Sequence, residues 1–157
     1  MTAPGLRLET AEDAEFLRRL FAADASALLH GSGLPEAMVA DLVDAQIRSR
    51  DRTYRDCYPT ARYGIVTCAD VPVGRLVVAD MGDLAHVVDI AILPSRRREG
   101  LAAALMRDAM APWAAQGRGG RADVYVGNAA SLALFIGLGF AGRPEPGNAQ
   151  VRLTWWP

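Results

Sequence analysis

The 157-residue sequence predicts a single domain, residues 1–157, of mixed α/β architecture, in which a central sheet carries helices on both faces. Three observations predict it. Apolar residues make up 51% of the chain, which is too many for intrinsic disorder. Helical and strand patterns follow one another in the order β-α-α-β-β-β-α-β-α-β-β. Turn residues in the middle of the chain are typical of antiparallel hairpins, which excludes a purely parallel doubly wound sheet.

The first third of the chain predicts one short strand and two helices. Residues 5–9 alternate in polarity, as a strand does. Thr10 precedes acidic residues and predicts the start of a helix that runs to about residue 27. Glycines at 31 and 33 interrupt this helix. Pro35 then opens a second helical pattern, whose apolar periodicity ends near residues 46–48.

The middle of the chain predicts three consecutive strands. Residues 61–67 form the first, a turn at 69–72 leads to the second at 74–78, and a turn at 81–83 leads to the third at 86–93. The third strand is apolar apart from His86 and Asp89, and Pro94 ends it. We therefore expect it to lie in the centre of the sheet.

The last third predicts two helices and three strands. A helix over 99–116 contains Pro112, which should bend or end it near residues 108–111. A strand at 122–126, a short helix at 129–138, a strand from 139–140 and a closing strand at 151–156 follow. Trp155 and Trp156 could pack on the core or form a homodimer contact. Alternation along the strand places only one of the two inside.

The charge balance restricts the possible partners. All 17 basic residues are arginine, and with 18 acidic residues the net charge is −1. A near-neutral chain without an aromatic platform argues against nucleic-acid binding. The absence of lysine excludes a Schiff-base lysine, a lysine general base and a P-loop.

Cysteine and histidine usage predicts no metal site. Cys57 and Cys68 are not in a ligand spacing and are interpreted as buried or half-buried thiols in a reducing compartment. His30 and His86 have no second ligand nearby in the sequence. The first 15 residues lack the apolar core of a signal peptide, and no apolar run reaches the ~18 residues of a membrane helix. We expect a cytoplasmic protein that does not associate with membranes.

The segment that carries chemistry is residues 89–103, where a buried strand, three arginines and the start of a strong helix follow one another. A helix N-terminus presents free amides and about half a positive charge. Gly100 and Ala102 have no bulk, so a phosphate can approach the backbone closely. The arginines at 96–98 add side-chain donors. The alternative is that these arginines form only a solvated basic turn.

Two signatures in this order resemble those of the GNAT acetyltransferases. Arg97-x-x-Gly100-x-Ala102, placed after a strand that ends at Leu93-Pro94, resembles the family's acyl-CoA-binding motif Q/R-x-x-G-x-G/A. The segment from Asn128 through a short helix to 139–140 resembles its second signature, in which an aromatic residue and then Gly-Phe follow the asparagine. The resemblance covers residues 5–156 and implies the acyl-CoA N-acyltransferase fold.

The resemblance also implies acetyl-CoA as the co-substrate. The strand that ends at residues 92–93 would splay from residues 122–126 and bond pantetheine through its free backbone groups. A backbone amide near Leu93 would polarise the thioester carbonyl, Asn128 would contact the pantetheine arm, and Phe135 would flank the thioester. The residues implied to bind the cofactor are Ile92, Leu93, Arg97, Arg98, Glu99, Gly100, Leu101, Ala102, Ala103, Asn128, Ser131 and Phe135.

The implied reaction is direct attack of an amine on the thioester. It needs a base that deprotonates the amine and an acid that protonates the leaving thiolate. Asp89 is the candidate base because it is the one carboxylate in its strand; the alternative is that it pairs with an arginine or caps backbone amides. His86 is expected on the opposite face of that strand, as an edge or surface residue. Phe135 stands where the family often has a tyrosine acid, so Ser131, Tyr125 or water would replace it, or the thiolate leaves unprotonated.

The acceptor is expected to bind in the N-terminal half. Tyr54, Arg55, Tyr58 and Asp89 are the candidate acceptor-binding residues, and Arg55 would clamp a carboxylate or phosphate. The alternative is a helix end that packs its tyrosines on the sheet, and Tyr63 is open to both interpretations. The sequence thus predicts an N-acetyltransferase acting on a small-molecule or amino-acid-like amine. A non-catalytic acyl-CoA-binding sensor or interaction module is the alternative.

Overall fold

A six-stranded sheet forms the centre of the molecule, with its strands in sequence order from β1 to β6. The computed structural model describes residues 3–29 and 31–157, so His30 lies outside the described residues. Strands β4 and β5 pair in parallel and all other neighbours are antiparallel. The predicted mixed sheet is confirmed. Its elements are β1 Gly5–Leu8, α1 Ala14–Leu29, α2 Glu36–Cys57, β2 Arg62–Cys68, β3 Val71–Asp80, β4 Leu84–Ile92, α3 Leu101–Ala115, β5 Gly119–Tyr125, α4 Ala129–Gly137 and β6 Gln150–Trp155.

The two faces of the sheet are covered by different helices and differ in chemistry. Helices α3 and α4 bury a large apolar core that includes Leu105, Met106 and Phe135. Helix α1 contributes most of a smaller apolar cluster on the other face, where Phe21 packs near Ile65 of β2. Because the second cluster is small, the space between α2 and the sheet is left to polar side chains.

Helix α2 is longer than the sequence pattern predicts. The apolar periodicity ends near residues 46–48, but the helix continues to Cys57. Its last turns direct cationic and aromatic side chains inward, and Arg50 stacks 3.8 Å from the centre of the Phe21 ring. The prediction was wrong because it equates a buried helix face with an apolar one. An Asp51–Arg55 ion pair four residues apart supports the extra turns.

Three other expectations are corrected. Residues 139–140 do not start a full strand, since only an isolated bridge pairs Ala141 with Thr154. Helix α3 does not end at Pro112 but continues to Ala115. Cys57 is exposed, although Cys68 is buried as predicted.

The C-terminal tryptophans divide as alternation predicts. Trp155 packs against the large core, whereas Trp156 is 56% exposed.

A bulge in β4 decides which side chains share a face. Val87 pairs with Val78 and Asp89 pairs with Val77, so Val88 is an extra residue without a partner. His86 and Asp89 therefore face the same side of the sheet, towards α2, and the prediction of opposite faces was wrong. His86 is also 3% exposed rather than at an edge or surface, because β4 is an inner strand.

Candidate active site

Strands β4 and β5 separate part of the way along their length. They pair only from Leu84 opposite Gly119 to Val87 opposite Ala122. Beyond that point β4 continues to Ile92 without β5, so the predicted splay is observed. The Leu93 amide donates to the Val73 carbonyl at 2.8 Å. Hydrogen-bonding direction alternates along a strand, so the backbone groups of Ile92 and Ile90 point into the gap.

This alternation revises one expectation. The Leu93 amide is occupied within the sheet, and the amide near it that faces the gap belongs to Ile92. The Ile92 carbonyl already accepts a hydrogen bond from Arg97 Nε at 3.0 Å. Ile92 thus provides the free donor on this part of the strand.

The gap opens into a cleft of about 610 Å³ between β4, the start of α3 and α4. Its walls combine apolar side chains with one basic loop, which we define as residues 94–100. The lining includes many of the predicted cofactor-binding residues, together with neighbours that the sequence motifs did not single out. The lining residues are Ile90, Ile92, Arg96, Arg97, Arg98, Gly100, Leu101, Ala102, Ala103, Ala130, Ser131, Ala133 and Leu134.

The basic loop leads into the N-terminus of α3, which lies at this cleft with its first amides unpaired within the helix. Gly100 is the N-cap of α3 and has a φ of 77°, in the left-handed region that glycine adopts readily. A Cβ added there would meet nothing within 4 Å. The first helical hydrogen bond is made by the Ala104 amide, so the preceding amides of α3 have no partner within the helix. Such an arrangement suits a phosphate.

The three arginines of the basic loop have different partners. Arg96 is bound by Glu99 in a bidentate pair at 2.9 Å. Arg97 ties the loop to α1 through Asp24 at 2.7 Å as well as to the Ile92 carbonyl. Arg98 has no hydrogen bond or ion pair with any residue that the structure describes, and its φ is 64°. Only the Arg98 side chain is therefore uncommitted, a distinction that the sequence did not predict.

Helix α4 contributes a cap and part of the wall. The side-chain oxygen of Asn128 accepts a hydrogen bond from the Ser131 amide at 3.1 Å and so caps the helix. Phe135 is 3% exposed and packs edge-on against Phe140, with ring centres 5.1 Å apart. Its ring belongs to the core, and Leu134 lines the cleft in its place. The contacts of Asn128 with pantetheine and of Phe135 with the thioester stay predictions.

Asp89 lies beyond the point where β4 and β5 separate. Its Oδ2 atom is shielded from solvent and has no hydrogen-bond partner. No described residue forms an ion pair with it, so the alternative in which Asp89 is neutralised by an arginine or by backbone amides is not observed. Burial raises the pKa of the Asp89 carboxyl, and the positive charges of Arg50 and Arg75 oppose this rise. Its environment differs from that of a structural ion pair.

A group of polar side chains surrounds Asp89, and we define it as the polar cluster: Arg50 and Tyr54 of α2, Tyr63 of β2, Arg75 of β3 and Asp89 itself. Arg75 is buried and the other members are half-buried. Tyr63 and Asp89 both lie opposite Val77 in the sheet register, on the same face. Burial and the charge of Asp89 raise the pKa of Tyr54 to about 12. The Tyr63 hydroxyl has no hydrogen-bond partner. This cluster was not found from the sequence, because its members come from four separate segments.

Arg75 anchors the polar cluster and is 1% exposed. Its Nη2 atom binds Asp51 at 2.9 Å and its Nε atom lies 3.2 Å from Glu9 Oε2. These last two atoms form an ion pair without an aligned hydrogen bond. Arg55 shares both carboxylates and stacks 4.3 Å from the centre of the Tyr63 ring. The two arginines and two acids thus neutralise each other.

The structure does not bring the predicted acceptor residues into one pocket. Arg55 lines a groove between α1 and α2 to which neither Tyr54 nor Tyr58 contributes. Tyr58 packs edge-on against His86, with ring centres 5.1 Å apart. The donors of Arg55 are already bound to Glu9 and Asp51, so a carboxylate clamp at Arg55 would have to displace them. Packing of a helix end on the sheet describes Tyr58 better.

His86 forms a second buried polar contact at the base of the splay. Its Nε2 atom lies 3.6 Å from Asp123 Oδ2, and its Nδ1 atom has no partner. Burial and then the charge of Arg121 lower the pKa of His86, so the ring is neutral at physiological pH. Although burial opposes it, hydrogen bonds from Arg121 and Arg152 hold the pKa of Asp123 below its usual range.

The described residues lack two further features. They contain no group of three or more His, Cys, Asp or Glu side chains that could hold a metal ion. None of the helices they form is long and apolar enough to cross a membrane.

Comparison with known proteins identifies the domain. Residues 31–140, more than half of the chain, match the family model described as "Acetyltransferase (GNAT) family". No curated protein matches the sequence.

Solved structures share the fold over nearly the whole chain. The PaiA N-acetyltransferase of Thermoplasma acidophilum, solved in complex with coenzyme A, superposes with a TM-score of 0.71 at 11% identity and covers 99% of both chains. An acetyltransferase of Thermus thermophilus gives 0.66 at 22% identity, covering 100% of both. A spermidine N-acetyltransferase chimera from Vibrio cholerae and hSSAT gives 0.66 at 16% identity, covering 99% of this chain and 96% of the other. At these identities the likeness shows a common fold.

Proposed function

Because the chain belongs to the GNAT family of acetyltransferases, whose co-substrate is acetyl-CoA, we propose that it transfers an acetyl group from acetyl-CoA to the amine of a small-molecule or amino-acid-like acceptor. The observation that carries the acceptor side of this proposal is the half-buried Asp89, on the strand that borders the cleft, whose Oδ2 atom is shielded from solvent and has no hydrogen-bond partner among the described residues. A buried unpaired carboxylate destabilises the fold, so its presence favours a catalytic role.

The cleft fits acetyl-CoA on three counts. The free amides at the start of α3 and the Arg98 guanidinium would hold the pyrophosphate. The Ile90 backbone groups that face the gap would bond the pantetheine arm, and the Ile92 amide would face the thioester. The apolar wall at Leu134 and Ala133 would cover the rest of that arm. Acetyl-CoA itself supplies the thioester carbonyl that the amine attacks.

Asp89 is the residue that would receive the proton. As the amine nitrogen bonds to the acetyl carbon, the carbon–sulfur bond breaks and the amine proton passes to the carboxylate. The Ile92 amide, which faces the gap, would polarise the thioester carbonyl. A thiol has a pKa of about 8.5, so the thiolate can depart without an acid. If an acid takes part, Ser131 is the candidate because it lines the cleft. Tyr125, the other candidate, is 59% exposed and is not part of that lining.

One observation favours the alternative of a non-catalytic acyl-CoA-binding module. The position at which the family often carries a tyrosine holds Phe135, which has no hydroxyl and is buried in the core. The two functions share the cofactor cleft and differ in whether an amine is acetylated.

Acetyl-CoA binding and thiol release separate the alternatives. We expect acetyl-CoA to raise the melting temperature and a panel of amines to include one that releases free coenzyme A. The Asp89→Asn variant should keep its acetyl-CoA affinity and lose about 10²–10⁴-fold in turnover with that amine.

The possible outcomes are distinct. Binding without thiol release from any amine supports the non-catalytic module. No binding rejects both functions, and unchanged turnover in Asp89→Asn across pH removes Asp89 as the base.

A further inference from the structure

We propose that Arg50 is a positioning residue for the reaction: its guanidinium, held against Phe21 without an acidic partner, keeps the neighbouring Asp89 carboxylate ionised while leaving it free to accept a proton. This inference rests on the proposed function, in which Asp89 is the base. It assigns a role to a residue that belongs to neither cofactor signature.

The charge of Arg50 is unusual because none of the acidic residues that the structure describes forms an ion pair with it. Its guanidinium carbon lies 3.8 Å from the centre of the Phe21 ring and 6.0 Å from that of Tyr54. Its Nη2 atom is shielded from solvent and has no hydrogen-bond partner. No acidic oxygen of the described residues lies within 4 Å of its nitrogens. A cation over an aromatic face keeps its full charge, so Arg50 projects a positive field into a region of low dielectric.

Arg75 provides the contrast within the same cluster. It also lies near Phe21, 5.4 Å from the ring centre, but Glu9 and Asp51 bind it directly. Its field at Asp89 is therefore offset by two carboxylates. Arg50 and Asp89 are the two members of the cluster whose opposite charges remain without a contact partner.

The groups that face Asp89 come from each neighbouring element. Helix α2 contributes Arg50, Tyr54 and the carboxylate of Asp51; strand β3 contributes Arg75. Tyr63 faces it from β2, and His86 lies on the same face of β4. Arg50 comes first among the charges that lower the pKa of the Asp89 carboxyl against the effect of burial.

The separation between the two groups is what makes this arrangement useful. A carboxylate in direct contact with a guanidinium has its lone pairs occupied and its pKa held low, which makes it a poor base. A cation at a short distance without contact favours the ionised form but leaves the oxygens free. Asp89 forms no ion pair with Arg50 in the described structure, its Oδ2 atom carries no hydrogen bond, and the charge of Arg50 still acts on its carboxyl.

A titration of Asp89 tests the inference without requiring activity. In protein labelled with ¹³C at the aspartate carboxyl, Asp89→Asn identifies the Asp89 resonance by its loss. We expect Arg50→Met to raise the titration midpoint of that resonance by about one pH unit, a roughly tenfold change in the dissociation constant. Arg50→Lys, which keeps a positive charge, should shift it less. Arg52→Met on the exposed side of α2 is the matched control and should leave it unchanged.

The pH dependence of kcat/KM should shift in the same direction as the titration midpoint. Removing a positive charge raises the carboxyl pKa, so the acidic limb of kcat/KM should move to higher pH in Arg50→Met while acetyl-CoA affinity is unchanged. If Arg50→Met does not fold, Arg50→Gln carries the same test.

An unchanged Asp89 midpoint in a folded Arg50 variant, or an equal shift in Arg52→Met, overturns the inference while the proposed function stands. Absence of turnover with every amine, despite a shifted midpoint, rejects the proposed function and with it the role of Arg50 in catalysis.

Discussion

The cofactor cleft and the polar cluster lie on opposite faces of one sheet and are built by different means. The cleft depends on the backbone, with a left-handed Gly100, free amides at the start of α3 and strand groups released where β4 and β5 separate. The polar cluster depends on side chains, with arginines packed on aromatic rings and a carboxylate without a partner. A cleft made of backbone suits an invariant ligand, whereas side chains can be exchanged for different acceptors. Variants in the two regions should therefore have separable effects.

Loss of Arg75 should have the largest effect, and on stability rather than on cofactor binding. Arg75→Met leaves Glu9 and Asp51 without their buried partner, although Arg55 still binds both. We expect the free energy of unfolding to fall by about 3 kcal/mol, the lower end for breaking a buried ion pair. Urea denaturation measures it.

The exposed pair of Arg18 and Asp44 provides the control. Arg18→Met should cost less than about 1 kcal/mol. If the two variants are equally stable, the polar cluster is not held by Arg75. If Arg75→Met also weakens acetyl-CoA binding in proportion, the two regions are not separable.

A charge at Gly100 should act on the opposite region. Gly100→Asp places a carboxylate at the N-cap of α3, against the expected pyrophosphate, and should weaken acetyl-CoA binding about 100-fold, equivalent to about 2.7 kcal/mol. Gly100→Asn is the matched control because asparagine has the same shape and also tolerates a φ of 77°. Isothermal titration calorimetry measures both. An equal loss in the two variants would show that the backbone conformation, rather than charge, sets the affinity.

Replacing His86, which lies at the base of the splay between the two regions, should have the smallest effect on the free energy of unfolding. Burial lowers its folded-state pKa, so the unfolded chain binds the proton more tightly and the free energy of unfolding falls as the pH drops below about 6.5. We expect wild-type protein to lose about 1 kcal/mol more than His86→Gln between pH 7.5 and 5.5. Urea titrations at both values measure the difference, in which the carboxylates common to both proteins cancel. Parallel pH profiles would contradict a buried neutral His86.

Local signals predicted much of this molecule. Hydrophobic periodicity and turn residues placed all six strands and all four helices, with errors mainly at their ends. They also predicted a seventh strand at 139–140 that does not form. The basic loop could be recognised because its function resides in consecutive residues, a strand end, small residues and a helix start. The choice of Asp89 as the candidate base was also available from the sequence, since it interrupts an apolar strand, but the sequence left open whether an arginine or backbone amides pair with it.

Long-range packing decided the rest. The bulge at Val88 arises from pairing between β3 and β4 and puts His86 and Asp89 on one face. At the polar end of α2 the Arg50 guanidinium packs on Phe21, which lies more than 20 residues earlier in the sequence. Neither contact leaves a trace in local periodicity.

The sequence by itself determined the fold class and the position of the basic loop before α3, because backbone conformation follows from neighbouring residues. Only the tertiary structure decided which arginines are neutralised. Arg96 and Arg97 have partners while Arg98 does not, and Arg75 is bound by two acids while Arg50 has none. The field at a buried group depends on distances between segments far apart in the chain, and those distances exist only once the chain has folded.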